Sequence, residues 1–233
     1  MKKILIGGCS FSQSTGFPID NDIPKWTSWT NFLEKDFSES YEIINRAQSS
    51  FGQSRIVESL LEELLKFEFD IDYVFIQWSA IGRAYSTNER DFFNRMIIQS
   101  EVPFSPHQHE YIVNDDKEGW ITNLTNEISD SFYTASLNQI FLLKSLLDSK
   151  RIPYIMFWGW EQLNNNTITK NKNLIDKIYD ERFWRWKNNG GMSDYITDNI
   201  GFEKGIIPND FHPSTEGHKF FYNTIIKNIL KTI

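Results

Sequence analysis

Two short stretches near opposite ends of the chain carry residue types that do nucleophilic chemistry. The first is GGCSFS at 7–12, where Ser10 follows an apolar run and two glycines. A serine in a tight turn after a buried strand exposes its hydroxyl at a sheet edge, with backbone N–H groups close by to face a developing oxyanion. The second is NDFHPS at 209–214. A serine nucleophile needs a base, and His212 has Asp210 and Asn209 close by to orient its ring. His218, six residues further on, falls inside an apolar helical pattern and reads as structural. Either stretch alone is ordinary turn chemistry, in which Ser10 merely caps the next element.

Other clusters carry less. HQHE at 107–110 places two histidines one residue apart but offers no third ligand at metal-site spacing, so no metal is expected. No organic cofactor is implied. Asp70 and Asp72 precede a strand and read as a connection.

Serine and histidine must be brought together by the elements between them. Short β-rich runs at 4–6, 43–44, 73–76 and 154–157 have the composition of strands buried on both faces. Between them, apolar residues recur at helical spacing: Trp26, Trp29, Phe32 and Leu33; Ile56, Leu60, Leu61, Leu64 and Leu65; the stretch 137–147; and Phe220, Phe221, Ile225 and Ile229. Strands alternating with amphipathic helices predict βαβ units and a parallel, doubly wound three-layer α/β/α sheet. The chain, 233 residues long, is expected to form one domain (1–233) with a polar insertion at about 84–135 and an irregular Asn- and aromatic-rich segment at about 161–201. Both irregular segments follow strand C-terminal ends, where open α/β sheets bind ligands. Trp158 and Trp160 stand at one such end and are candidates to line a substrate, although core packing is the ordinary role of tryptophan.

Composition narrows the function. A net charge of −7 argues against nucleic acid or an anionic membrane as partner, since both require clustered Lys and Arg. The lone cysteine, Cys9, excludes an internal disulfide. It also raises the alternative of a lipid-bearing cysteine behind an export signal. Only Ile4, Leu5 and Ile6 separate Lys3 from Gly7, which is too short for a signal helix, and no run approaches a membrane span. A cytoplasmic protein is expected.

Taken together, three blocks resemble those of the SGNH (GDSL-like) serine hydrolases, a flavodoxin-like α/β family. GCSFS at 8–12 is similar to the first block, with Ser10 as nucleophile and Cys9 where Asp is usual, a change expected to remove a carboxylate from the mouth of the site. NRAQSSFG at 45–52 resembles the second, with Gly52 supplying an oxyanion N–H, and FHPS at 211–214 resembles the last, with His212 as base. The third block departs: QWSAIGR at 77–83 lacks the usual Asn, leaving Ser79, the Trp78 indole or Arg83 to donate. The usual acid, three residues before the histidine, is Asn209, so Asp210 is expected to substitute.

The resemblance implies a serine esterase with Ser10, His212 and Asp210 as triad and Ser10, Gly52 and Ser79 as oxyanion hole. Its substrate would be a small-molecule or glycan ester, with a carbohydrate O-acyl group the first choice. A non-catalytic carbohydrate- or protein-binding module and an O-acyltransferase to a sugar are the alternatives.

Overall fold

The computed structural model describes residues 1–14, 26–49, 51–79, 118–160, 163, 165–208 and 211–231, with the backbone alone described for 118–132 and 165–167. Strands β1 (Lys2–Gly7), β2 (Tyr41–Asn45), β3 (Tyr73–Trp78), β4 (Tyr154–Trp158) and β5 (Phe183–Trp184) pair in parallel in the order β2-β1-β3-β4-β5. The chain winds outward in both directions from β1. In such an order the crevice outside the C-terminal ends of β1 and β3 is the natural binding position.

Strand side chains alternate between two apolar layers, as the period of two requires. Leu5, Val74, Ile76, Met156 and Trp158 face one core with Ile56, Leu60 and Leu64 of α2 (Gln53–Lys66) and Leu137, Ile140 and Leu147 of α3 (Glu118–Lys150). Ile4, Ile6, Phe75 and Phe157 face the other. There they meet Trp29 and Leu33 of α1 (Trp29–Phe37), Ile196 of a helix after β5, and Phe221 and Ile226 near the C-terminus. This is the expected three-layer α/β/α arrangement. Among the described residues, no helix is long and apolar enough to cross a membrane.

Four local expectations are corrected. Trp26 is not helical: α1 starts at Trp29, capped by Ser28 in a reciprocal capping box with Asn31. Leu65 lies in α2 but is exposed. The insertion expected to run to about 135 gives way to helix by Glu118, because Trp120, Leu124, Ile128 and Phe132 keep a four-residue apolar spacing beneath the polar composition. The segment 161–201 is largely regular, holding α4 (Asn165–Lys170), α5 (Lys172–Ile178), β5 and α6 (Met192–Ile200), followed by α7 (Phe202–Gly205). Its turns rather than its body are Asn-rich. The final pattern forms α8 (Thr215–Phe221), which passes through a π-helical turn (Tyr222–Ile226) into α9 (Lys227–Leu230).

Candidate active site

Ser10 follows β1 in a turn closed by Ser12 N–H donating to the Cys9 carbonyl at 2.9 Å. The turn is anchored on every side. Ser12 accepts from the Trp29 indole at 2.9 Å, and its carbonyl accepts from Asn45 Nδ2 at 2.9 Å and Thr30 Oγ1 at 3.2 Å. From β3, buried Gln77 Oε1 accepts from the Cys9 N–H at 3.1 Å and thiol at 3.2 Å, while its Nε2 donates to the Trp78 carbonyl at 2.6 Å. Gly8 is required here: a Cβ would come within 2.9 Å of the Ser12 side chain and 3.1 Å of Gln77 Oε1. A buried polar side chain fully used in this way fixes one arrangement of the loop. The expectation that this position stands at the mouth of the site is corrected: Cys9 is completely buried, its thiol donating to Gln77 Oε1 and lying 3.9 Å from Ser10 Oγ, so it packs beside the nucleophile inside the protein.

His212 arrives from the other end of the sequence. Its carbonyl accepts from Ile207 N–H at 2.8 Å, Ile206 and Pro213 form an isolated bridge, and Ser214 both caps α8 and donates from Oγ to the Lys204 carbonyl at 2.7 Å. Gly217 lets α8 sit on α7, since a Cβ would lie 2.2 Å from the Gly205 carbonyl oxygen. The result is a contact of 2.6 Å between Ser10 Oγ and His212 Nε2, across 202 positions of sequence. With the ring proton on Nδ1, Nε2 accepts the hydroxyl proton. The imidazole is clasped by aromatics: Trp26 stacks on it at 5.0 Å between centroids and 23° between planes, and Phe11 meets it edge-on at 4.9 Å.

The remaining expected residues fall in several places. Gly52 is the N-cap of α2, so its N–H lies outside the helical ladder, as an anion-facing donor requires. Gln53 joins this helix end to β3 by donating from Nε2 to the Ser79 carbonyl at 2.7 Å. The Ser79 hydroxyl, completely buried, has no hydrogen-bond partner among the described residues. Trp78 and Trp158 are also completely buried, the latter donating to the Tyr179 hydroxyl at 2.9 Å, so neither lines a substrate surface. Both point into the α2–α3 core because strand alternation sends them there. Trp160 packs on Phe11 at 5.0 Å and thus backs the base indirectly. Arg83, Asn209, Asp210 and the histidines at 107 and 109 lie outside the described residues.

Sequence reasoning missed Trp26, Phe11, Gln53 and Gln77 as parts of this site. Gln77 alone gave a signal, a polar residue inside an otherwise apolar strand. His218 is completely buried, in keeping with the structural reading, with neither ring nitrogen hydrogen-bonded among the described residues, and burial with a smaller contribution from His212 pushes its pKa down to about 3.

No protein-family model matches the chain, and no curated protein sequence does. Solved structures do. An esterase, EstA, from Pseudoalteromonas superposes with a TM-score of 0.56 at 11% identity, covering 100% of this chain and 98% of that one. A lipolytic protein of the G-D-S-L family from Desulfitobacterium hafniense gives 0.52 at 15%, covering 96% and 97%. A catalytic mutant of an acetylxylan esterase from Geobacillus stearothermophilus gives 0.52 at 14%, covering 98% and 94%. At these identities the likeness is one of architecture, and it agrees with the strand order: the chain has the SGNH (GDSL-like) hydrolase fold in a version far diverged in sequence.

Proposed function

We propose that the protein is a serine ester hydrolase working through an acyl-enzyme. The observation that carries this reading is the 2.6 Å contact between Ser10 Oγ and His212 Nε2 at the β1/β3 crevice. His212 takes the hydroxyl proton as Ser10 Oγ bonds to the ester carbonyl carbon. The oxyanion is held by the N–H groups of Ser10 and Gly52 and by the Ser79 hydroxyl, which stands in for the family's Asn. Collapse breaks the bond to the alcohol oxygen, which leaves with the proton from His212. Water then gives a proton to His212, attacks the acyl carbon and releases the acid, and Ser10 recovers its proton. Asp210, or Asn209 in its place, orients the imidazole.

A carbohydrate O-acyl group is the preferred substrate. The fold's occurrence in an acetylxylan esterase supports this choice, as does the aromatic surround of the base. The test is labelling by a fluorophosphonate probe together with hydrolysis of an aryl acetate. Ser10→Ala should abolish the first and lower the second by about 10⁴-fold or more, the scale of losing a triad nucleophile. Absence of Ser10-dependent labelling in the native protein overturns the esterase reading and leaves a binding module.

A further inference from the structure

Outside the Ser10 crevice, a cleft of about 490 Å³ opens between the turn that joins β5 to α6, the outer face of α6, and Phe211. Its volume is that of a small-molecule site. Its lining has two characters. One side is aromatic: Trp186, Phe202 and Phe211, the two phenylalanines 42% and 39% exposed and set 6.1 Å apart at 60°. The other side is polar but uncharged in its free donors and acceptors, with the Asn189 side chain, Thr197, and the buried Ser193 hydroxyl that has no hydrogen-bond partner among the described residues.

The charged groups of the wall are already engaged. Asp198 accepts from the Trp186 indole at 2.7 Å and pairs with Lys187 at 2.5 Å, and Asp194 accepts from the Gly191 N–H at 2.7 Å. Lys187 against Asp194 and Asp198 leaves the lining one charge negative, which disfavours phosphate or carboxylate ligands. The tilted phenylalanines form an open corner and not a parallel slot, so a flat heterocycle gains little there. A ring with apolar C–H faces and a rim of hydroxyls satisfies both walls at once.

The walls are also held in shape. The indole of Trp186 is fixed by Asp198 on one side and by Tyr195, edge-on at 4.8 Å, on another, and reciprocal hydrogen bonds between Trp186 and Gly190 at 2.8 and 2.9 Å close the turn. Phe211 and Lys187 both adopt left-handed backbone conformations, with φ of 58° and 52°, which are costly for bulky residues and recur where a site imposes them. Phe211 immediately precedes the base.

We propose that this cleft is a saccharide-binding subsite that accepts a neutral pyranose unit. That the bound sugar belongs to the alcohol portion of the ester rests on the esterase reading, but sugar binding itself does not. The test uses Ser10→Ala protein, so that no turnover is involved. Xylotetraose, cellotetraose and maltotetraose are titrated by calorimetry and by NMR. At least one should bind saturably, with shifts at Phe202, Thr197 and Asn189, and Trp186→Ala should weaken it tenfold or more. Thr197→Lys, which fills the cleft from a half-buried position on α6 outside the turn, should do the same with an unchanged circular dichroism spectrum. Failure of all three sugars to bind, or binding indifferent to Thr197→Lys, overturns the subsite and leaves aryl acetate hydrolysis by the native protein to decide the esterase reading separately.

Discussion

The two edges of the sheet treat polar groups in opposite ways. At the N-terminal edge a partly buried cluster of charges is matched within itself. Lys144 pairs with Asp148 at 2.9 Å and Asp180 at 2.8 Å, Arg182 joins both carboxylates, and the Tyr154 hydroxyl donates to Asp148 at 2.9 Å. Burial would raise the pKa of both carboxyls, yet the hydrogen bonds from Lys144, with Tyr154 at Asp148 and Arg182 at Asp180, hold them below the ordinary carboxylate range. At the C-terminal edge, buried donors and acceptors have no partner among the described residues: the Ser79 hydroxyl, the Trp78 and Trp26 indoles, Gln53 Oε1 and the Ser193 hydroxyl. A leftover buried polar group costs about 1–3 kcal/mol and calls for an explanation: the proposed oxyanion hole and saccharide subsite put a ligand against the Ser79 and Ser193 hydroxyls, whereas Trp78 and His218 are enclosed in the core. One edge holds the protein together, and the other, on the proposed reading, keeps donors for a ligand.

This contrast can be broken from either side. The largest effect is expected at Ser79. Ser79→Ala should lower turnover of an aryl acetate by about 10²–10³, the scale of an oxyanion donor. It should leave the melting temperature unchanged or slightly raised, because the hydroxyl satisfies nothing within the protein. A destabilised variant with unchanged kcat would place Ser79 on the structural side. Lys144→Met is the mirror experiment. It removes one of the two cations shared by Asp148 and Asp180, leaving Arg182 as the other, and with allowance for solvent screening should cost about 1 kcal/mol in denaturant unfolding while turnover holds.

His218 gives a pH-dependent effect. Its folded-state pKa lies near 3 against 6.5 in a free side chain, so as the pH falls below 6.5 the unfolded chain takes up a proton that the folded protein refuses. Stability therefore falls with acidification, by up to about 1.4 kcal/mol per pH unit, and is unaffected by this group above 6.5. Measured between pH 6.5 and 5, where the carboxylates stay ionised, His218→Phe should flatten the slope. An unchanged slope would remove His218 as its source. Smallest is Trp26→Leu. The imidazolium formed during catalysis sits against the indole face, worth about 0.5–1 kcal/mol, so kcat should drop severalfold with the Ser10 labelling site retained. Equal losses in stability and none in kcat would make Trp26 a packing residue.

The fold was legible in the sequence because both its signals are local: fully apolar strands and helical apolar spacing. The Ser10 turn and the His212 segment could be picked out for a related reason, since each is a short block whose residue types suit one chemistry. What surrounds the base was not legible. Trp26 shares helical spacing with Trp29 and differs from it only because Ser28 starts the helix after it. Trp158 and Trp160 stand two residues apart, a spacing that strand alternation would put on one face; they enter opposite cores because β4 ends at Trp158 and the chain bends at Gly159 and Trp160, an end point the sequence does not mark. The helical run before residue 137 was hidden by the Asn, Thr and Ser interleaved with its apolar residues in the sequence, and the cleft beside Phe211 is made by residues scattered over 186–211 that share no motif.

The separation between nucleophile and base has a consequence for synthesis. Residue 10 leaves the ribosome long before residue 212 is made, and at about 5–20 residues per second the interval is on the order of 10–40 seconds. Through that interval β1 and its turn can form, but Ser10 has no partner to take its proton. Thr27 is likewise anchored to Thr215, through a hydrogen bond of 2.9 Å that closes the same long loop. A nascent chain therefore carries an inert hydroxyl, and Ser10-dependent labelling reports that the last helices have docked. On the esterase reading, chemical competence arrives with the final stage of folding, which makes a probe of Ser10 a probe of completion.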